Sequence, residues 1–182
     1  MTDSSVLDEL PGELMMWVLI VSELLVFGAG LTAFLAVRAT DPIGFAEAQS
    51  VLNRTAAGLN TVVLVTSGFL AALALPLRRA GARGRARLSL IGATLLGAVF
   101  LAVKLQEYSH KSELGINWDT HPFFMFYYLL TGFHAAHVVA GIVILLIVAW
   151  RDAAVNIETG TAFWHMVDLV WVMLFPVIYL LQ

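Results

Sequence analysis

Two histidines, His134 and His137, lie three residues apart in the apolar stretch TGFHAAHVVAG, residues 131–141. Residues at this spacing share one face of a helix. A neutral imidazole can bind a metal or haem, exchange protons, or hydrogen-bond neighbouring helices. A single helix supplies no complete ligand set, so the pair favours a structural hydrogen-bonding role, with a haem or metal ligand as the alternative.

Further ionisable side chains lie inside other apolar runs. Glu23 lies in the first run, and His165 and Asp168, again three apart, lie in the last. A charge in the middle of a bilayer costs about 3 kcal/mol even on the lenient insertion scale, so we expect these groups to face other helices. We expect a neutral histidine, His137, to donate to Glu23 or share a proton with it. His165 and Asp168 are interpreted as a pair that locks helices rather than an acid–base couple.

The composition indicates a membrane protein. The chain has 182 residues, of which 60% are hydrophobic and 13% are charged. Its net charge of −3 argues against nucleic acid as a partner. It has no cysteine, which excludes disulfides, thiolate metal sites and thiol catalysis.

Five apolar runs reach the length of about 20 residues that a helix needs to cross the hydrocarbon core. The predicted spans are residues 14–37, 58–77, 88–106, 123–150 and 162–181. The predicted fold class is therefore an all-α membrane protein, with residues 1–182 forming a single domain of five transmembrane helices in one bundle.

The basic residues of the short connections predict the orientation of the bundle. The connection RRAGARGRAR, residues 78–87, holds five of the ten basic residues and no acidic one. We expect it in the cytoplasm, which places the N-terminus inside and the C-terminus outside. Arg78, Arg79 and Arg83 are expected to contact anionic lipid headgroups.

Five strings carry a resemblance to subunit III of the haem-copper oxidase family. In chain order they are MMWVLIVSELLVFG, LNTVVLVTSG, KLQEY, TGFHAAHVVAG and ETGTAFWHMVDLVWVMLF. Glu23 matches the isolated glutamate of the family's first string, and the histidines and Asp168 match the last two. The other residues on motif positions are Asn60, Ser67, Glu107, Tyr108, Glu158, Trp164 and Trp171.

The chain also departs from the family pattern. Lys104 stands where the family commonly has glutamine. The usual subunit III has seven helices, and counterparts of the first two, which form one arm of a lipid-holding cleft, are missing. The short form, with LPGELMMW at residues 10–17, most resembles the branch associated with nitric oxide reductases. A five-helix oxidase subunit III stays open as the other interpretation.

The resemblance implies a non-catalytic accessory subunit in a bacterial cytoplasmic membrane. Such a chain binds phospholipid and no cofactor, and it supports assembly, stability and proton uptake of a haem-bearing catalytic subunit, which holds the haem and metal. Trp17, Trp164 and Trp171 are expected to line lipid or partner surfaces. The alternatives are a membrane cytochrome that uses the histidines as axial ligands, and a small proton-conducting protein that uses Glu23.

Overall fold

The computed structural model describes residues 14–151 and 153–181, which form six α-helices and a terminal π-helical turn. The helices are α1 (Leu14–Arg38), α2 (Pro42–Ser50), α3 (Arg54–Arg79), α4 (Arg83–Glu113), α5 (Pro122–Arg151) and α6 (Ala154–Phe175), and the turn is Pro176–Leu180. All but α2 have the length and hydropathy of membrane spans, α6 being counted with the turn. The expectation of five helices that are long and apolar enough to span a membrane is therefore confirmed. Residues 10–13 of LPGELMMW lie outside the described part.

The helices run further than the apolar runs predicted. The third span was expected to end at residue 106, but α4 continues to Glu113. It ends where Gly115 adopts a φ of 72° and Ile116 donates its N–H to the carbonyl of Lys111 at 2.9 Å. This is a Schellman-type end, which a left-handed glycine permits. Hydropathy marks the length in hydrocarbon, whereas capping residues set the end of the helix.

The sequence pattern does not predict the short helix α2, because α2 is too short and contains too many polar residues to match a membrane span. Its start is nonetheless encoded locally: Asp41 accepts a hydrogen bond from the Gly44 N–H at 3.0 Å, and Pro42 occupies the first turn. Phe45 of α2 packs edge-on against Phe34 of α1, with ring centroids 5.6 Å apart. The helix therefore closes one end of the bundle.

Helix α6 lies at the centre and packs against α1, α3 and α5. Its Trp164 fills a notch between α4 and α5, where a Cβ on Gly97 or Gly141 would lie 2.6 or 2.5 Å from the indole ring. Trp164 and Trp171 are fully buried. The expectation that they line lipid or partner surfaces is wrong, because they fill the core between helices, whereas Trp17 is exposed.

Candidate functional site

A cluster of buried charges lies on one face of α4. The Nζ atoms of Lys104 and Lys111 each lie 2.8 Å from an oxygen of Glu107. The lysine side chains are only 3% and 4% exposed, and the glutamate is 16% exposed. The spacing of three and four residues brings all three side chains together on the helix.

Two tyrosines from other elements complete this cluster. Lys104 Nζ donates to Tyr179 in the terminal turn at 2.7 Å and to Tyr127 of α5 at 3.2 Å. With the bond to Glu107, all three ammonium hydrogens have partners. Tyr179 in turn donates to Glu107 at 3.1 Å. The cluster thus joins α4, α5 and the end of the chain.

The π-helical turn carrying Tyr179 is itself fixed by α1 and α2. Its backbone bond runs from the Leu181 N–H to the Pro176 carbonyl at 2.9 Å, five residues back. Arg38 donates to the Leu181 carbonyl at 2.6 Å, and Gln49 donates to the Ile178 carbonyl at 2.9 Å. The tyrosine is therefore held in place from two sides of the bundle.

Sequence reasoning found only part of this cluster. Lys104, Glu107 and Tyr108 lie on motif positions, whereas Lys111 lies beyond residue 106, where the apolar run predicts the third span to end. The signal for it was the spacing of lysine, glutamate and lysine at three and four residues, which predicts a shared helix face. Tyr108 points to another partner: its hydroxyl lies 2.5 Å from that of Thr131 on α5.

The two histidines of residues 131–141, His134 and His137, contact different neighbouring helices. His137 Nε2 lies 3.2 Å from Glu23 Oε2 on α1, while its Nδ1 lies 2.9 Å from the Phe133 carbonyl. A carbonyl only accepts, so Nδ1 carries the hydrogen, and Nε2 of a neutral ring is an acceptor. Glu23 Oε2 is buried, and the contact lacks the alignment of a hydrogen bond. A neutral ring with this tautomer does not donate to Glu23, so the structure shows a close polar contact between α1 and α5 and not the expected hydrogen bond.

His134 faces α6 instead and is fully buried. Its ring stacks on Trp171, with centroids 5.1 Å apart, and meets Phe100 edge-on at 5.7 Å. Neither ring nitrogen has a hydrogen-bond partner among the described residues. The Trp171 Nε1–H donates to Thr61 of α3 at 2.9 Å. This histidine therefore packs as an aromatic ring in the core.

His165 and Asp168 lie near each other without a direct hydrogen bond. His165 Nδ1 is 3.9 Å from Asp168 Oδ2, too far for a hydrogen bond. The carboxylate packs against Gly68 of α3 so closely that any side chain at that position overlaps it. Asp168 Oδ1 is buried, with no partner in the described chain, while the imidazole is 44% exposed.

Other motif residues hydrogen-bond between helices. Asn60 Nδ2 donates to the Phe100 carbonyl at 3.2 Å, and Ser67 Oγ donates to the Ala93 carbonyl at 2.7 Å. Both bonds join α3 to the backbone of α4, where small side chains allow close approach.

The arginine-rich connection also makes a contact within the chain. Arg79, expected at lipid headgroups, lies 3.3 Å from Glu158 of α6. Both side chains are largely exposed, and such surface pairs contribute at most about 1 kcal/mol. This contact brings together two residues that the sequence treated separately.

The five spans and their buried polar contacts define a multi-pass membrane protein whose ionisable groups mostly face one another. Within residues 14–151 and 153–181, no three His, Asp or Glu side chains converge to hold a metal ion. The family model for cytochrome c oxidase subunit III matches residues 10–182. The chain belongs to this family, whose members are non-catalytic subunits of haem-copper oxidases; the complex is the enzyme.

Comparisons with individual relatives support the same family assignment. The chain is 32% identical over 175 residues to cytochrome c oxidase subunit 3 of a Synechocystis species, covering 89% of this chain and 72% of the relative. It is 32% identical over 174 residues to the subunit 3 of Thermostichus vulcanus, covering 90% and 84%. It is 28% identical to cytochrome bo(3) ubiquinol oxidase subunit 3 of Pseudomonas aeruginosa, covering 91% and 82%. The predicted family and the predicted accessory role are confirmed.

Proposed function

We propose that this chain stabilises the haem-bearing catalytic subunit of an oxygen-reducing complex by holding a rigid bundle against it. The buried Lys104–Glu107–Lys111 cluster carries this proposal. Removing Glu107 leaves the two buried lysines without a counter-charge, which is strongly destabilising. The cluster therefore favours one arrangement of α4, α5 and the terminal turn, and so one shape of the surface offered to a partner.

Purification of the whole complex in mild detergent tests this role. We expect the haem-bearing subunit to co-purify with the chain, and the variant Glu107→Gln to lower the yield of the complex. Glu113→Gln, on the same helix but exposed, is the matched control and is expected to leave the yield unchanged. An unchanged yield in Glu107→Gln, or no haem-bearing companion, contradicts the proposal.

Oxygen is the favoured acceptor of the complex because the relatives named above are subunits of cytochrome c and ubiquinol oxidases. The short length of the chain does not favour nitric oxide, since it covers 84% of the Thermostichus vulcanus oxidase subunit. The purified complex is expected to consume oxygen with a quinol or cytochrome c as donor. Reduction of nitric oxide without oxygen consumption would instead identify the nitric oxide reductase branch.

We further propose a bacterial cytoplasmic membrane location, with the α3–α4 connection inside. The support is its five arginines, of which Arg78 and Arg83 are assigned to phospholipid headgroups. The chain has no cysteine, so single-cysteine variants report orientation directly. Ala80→Cys should resist a membrane-impermeant maleimide on intact cells, and Asn117→Cys should react. The opposite pattern contradicts this orientation.

The Glu23–His137 contact is assigned to support of proton uptake by the complex. Its support is geometric: an imidazole and a carboxylate from two neighbouring spans, α1 and α5, lie 3.2 Å apart.

A further inference from the structure

Helix α6 exposes a single narrow stripe. Between Gly160 and Leu174 the exposed residues are His165, Leu169 and Val172, spaced four and three apart, and the rest are buried or half-buried. α6 packs against α1, α3 and α5, and the stripe is the part of this segment that no described neighbour covers.

An imidazole in this stripe is energetically unfavourable in contact with lipid tails. His165 lies eleven residues after the start of α6 at Ala154, roughly 16 Å along the axis and near the middle of the span. Its side chain is 44% exposed. Lipid tails offer no hydrogen bonds, and polar side chains at this depth normally face protein or a water-filled cavity.

The imidazole of His165 has no hydrogen bond among the described residues. Its Nδ1 lies 3.9 Å from Asp168 Oδ2, which is too far for a hydrogen bond. A hydrogen on Nδ1, facing this carboxylate, would leave Nε2 as an acceptor for a donor from outside the chain.

We propose that the stripe of His165, Leu169 and Val172 is the docking surface for a transmembrane helix of the catalytic subunit, which places a hydrogen-bond donor on His165 Nε2. The inference rests on the proposed accessory function and adds the surface through which it acts. The catalytic subunit is chosen because subunit III homologues assemble with one. The apolar neighbours Leu169 and Val172 provide packing contacts on either side of the polar contact.

Site-directed cross-linking in the purified complex tests the surface. The chain has no native cysteine, so Leu169→Cys can be labelled alone with a benzophenone maleimide. The matched control is Leu95→Cys. Leu95 is also exposed, and its helix α4 packs mainly against α3 and α5. We expect Leu169→Cys to cross-link to the catalytic subunit, identified by its peptides, and Leu95→Cys not to do so.

A second variant tests the polar contact itself. His165→Leu should lose the interhelical hydrogen bond. The ratio of released to bound chain during detergent titration of the complex should therefore rise about fivefold. His165→Gln, which retains an acceptor, should restore most of the retention, and Leu95→Ala should change nothing.

Several outcomes overturn the inference. They are cross-linking of Leu169→Cys to a second copy or to lipid alone, equal cross-linking from both positions, and equal retention of His165→Leu and the parent chain. If the haem-bearing subunit co-purifies while these results appear, the docking surface is wrong and the proposed function stands. If no haem-bearing subunit co-purifies, the proposed function itself fails.

Discussion

His137 Nε2 lies 3.2 Å from Glu23 Oε2 across the contact between α1 and α5. Since His137 Nδ1 is committed as donor to the Phe133 carbonyl, a neutral ring and an ionised carboxylate would present two acceptors to each other. The two side chains therefore meet directly between two spans, and we expect them to be energetically coupled.

This coupling is measurable in a double-mutant cycle. Glu23→Ala and His137→Ala together should destabilise the complex by at least about 0.5 kcal/mol less than the sum of the single changes. Ser22→Ala is the control, because its hydroxyl bonds only the carbonyl of Leu19 on its own helix. Strictly additive losses in thermal unfolding would show that the two residues are not partners.

Replacing Glu23 by glutamine should leave the fold intact. The Nε2 amide of a glutamine side chain can donate to His137 Nε2, so we expect a loss below about 1 kcal/mol. Because the Glu23–His137 contact is assigned to proton uptake, Glu23→Gln should lower turnover of the complex while yield and melting temperature hold. Proton flux in liposomes containing only this chain, abolished by Glu23→Gln, would instead favour a proton-conducting protein.

A polar and an apolar replacement of Lys104 should differ in their effect on the stability of the complex. Lys104→Gln keeps donors for Glu107 and Tyr179 and leaves one lysine with one carboxylate, so it should be well tolerated. Lys104→Met leaves the tyrosine hydroxyls without their donor and should cost about 1–3 kcal/mol more. Thermal unfolding of the two complexes checks this, and equal melting temperatures contradict the assigned hydrogen bonds.

Replacing either glycine beside Trp164 by a larger residue should destabilise the protein. A Cβ on Gly97 or Gly141 lies 2.6 or 2.5 Å from the ring, so alanine at either position should destabilise by about 1–3 kcal/mol through overpacking. Gly28→Ala is the matched control in another span, since nothing lies within 4 Å of its added Cβ. A control that loses as much stability as the two variants would contradict a specific packing notch.

The sequence predicted what depends on apolar length and on polar residues in apolar runs. It found the five spans and placed Glu23 opposite His137. It did not find α2, whose Asp41–Pro42 start was present but whose apolar length fell short of a span. It also missed the roles of Lys111 and Tyr179, because these depend on where α4 ends and on a terminal turn held by other helices. Local spacing predicts which side chains share a helix face, but not which face meets which neighbour.

The central claim is that the intramembrane polar groups of this chain hold its helices together while the redox centre belongs to its partner. The direct test is the visible absorption spectrum of the purified complex, compared with that of this chain after separation from its partners. We predict a haem spectrum in the complex and none in the separated chain. Tightly bound haem, iron or copper in the separated chain would contradict the account.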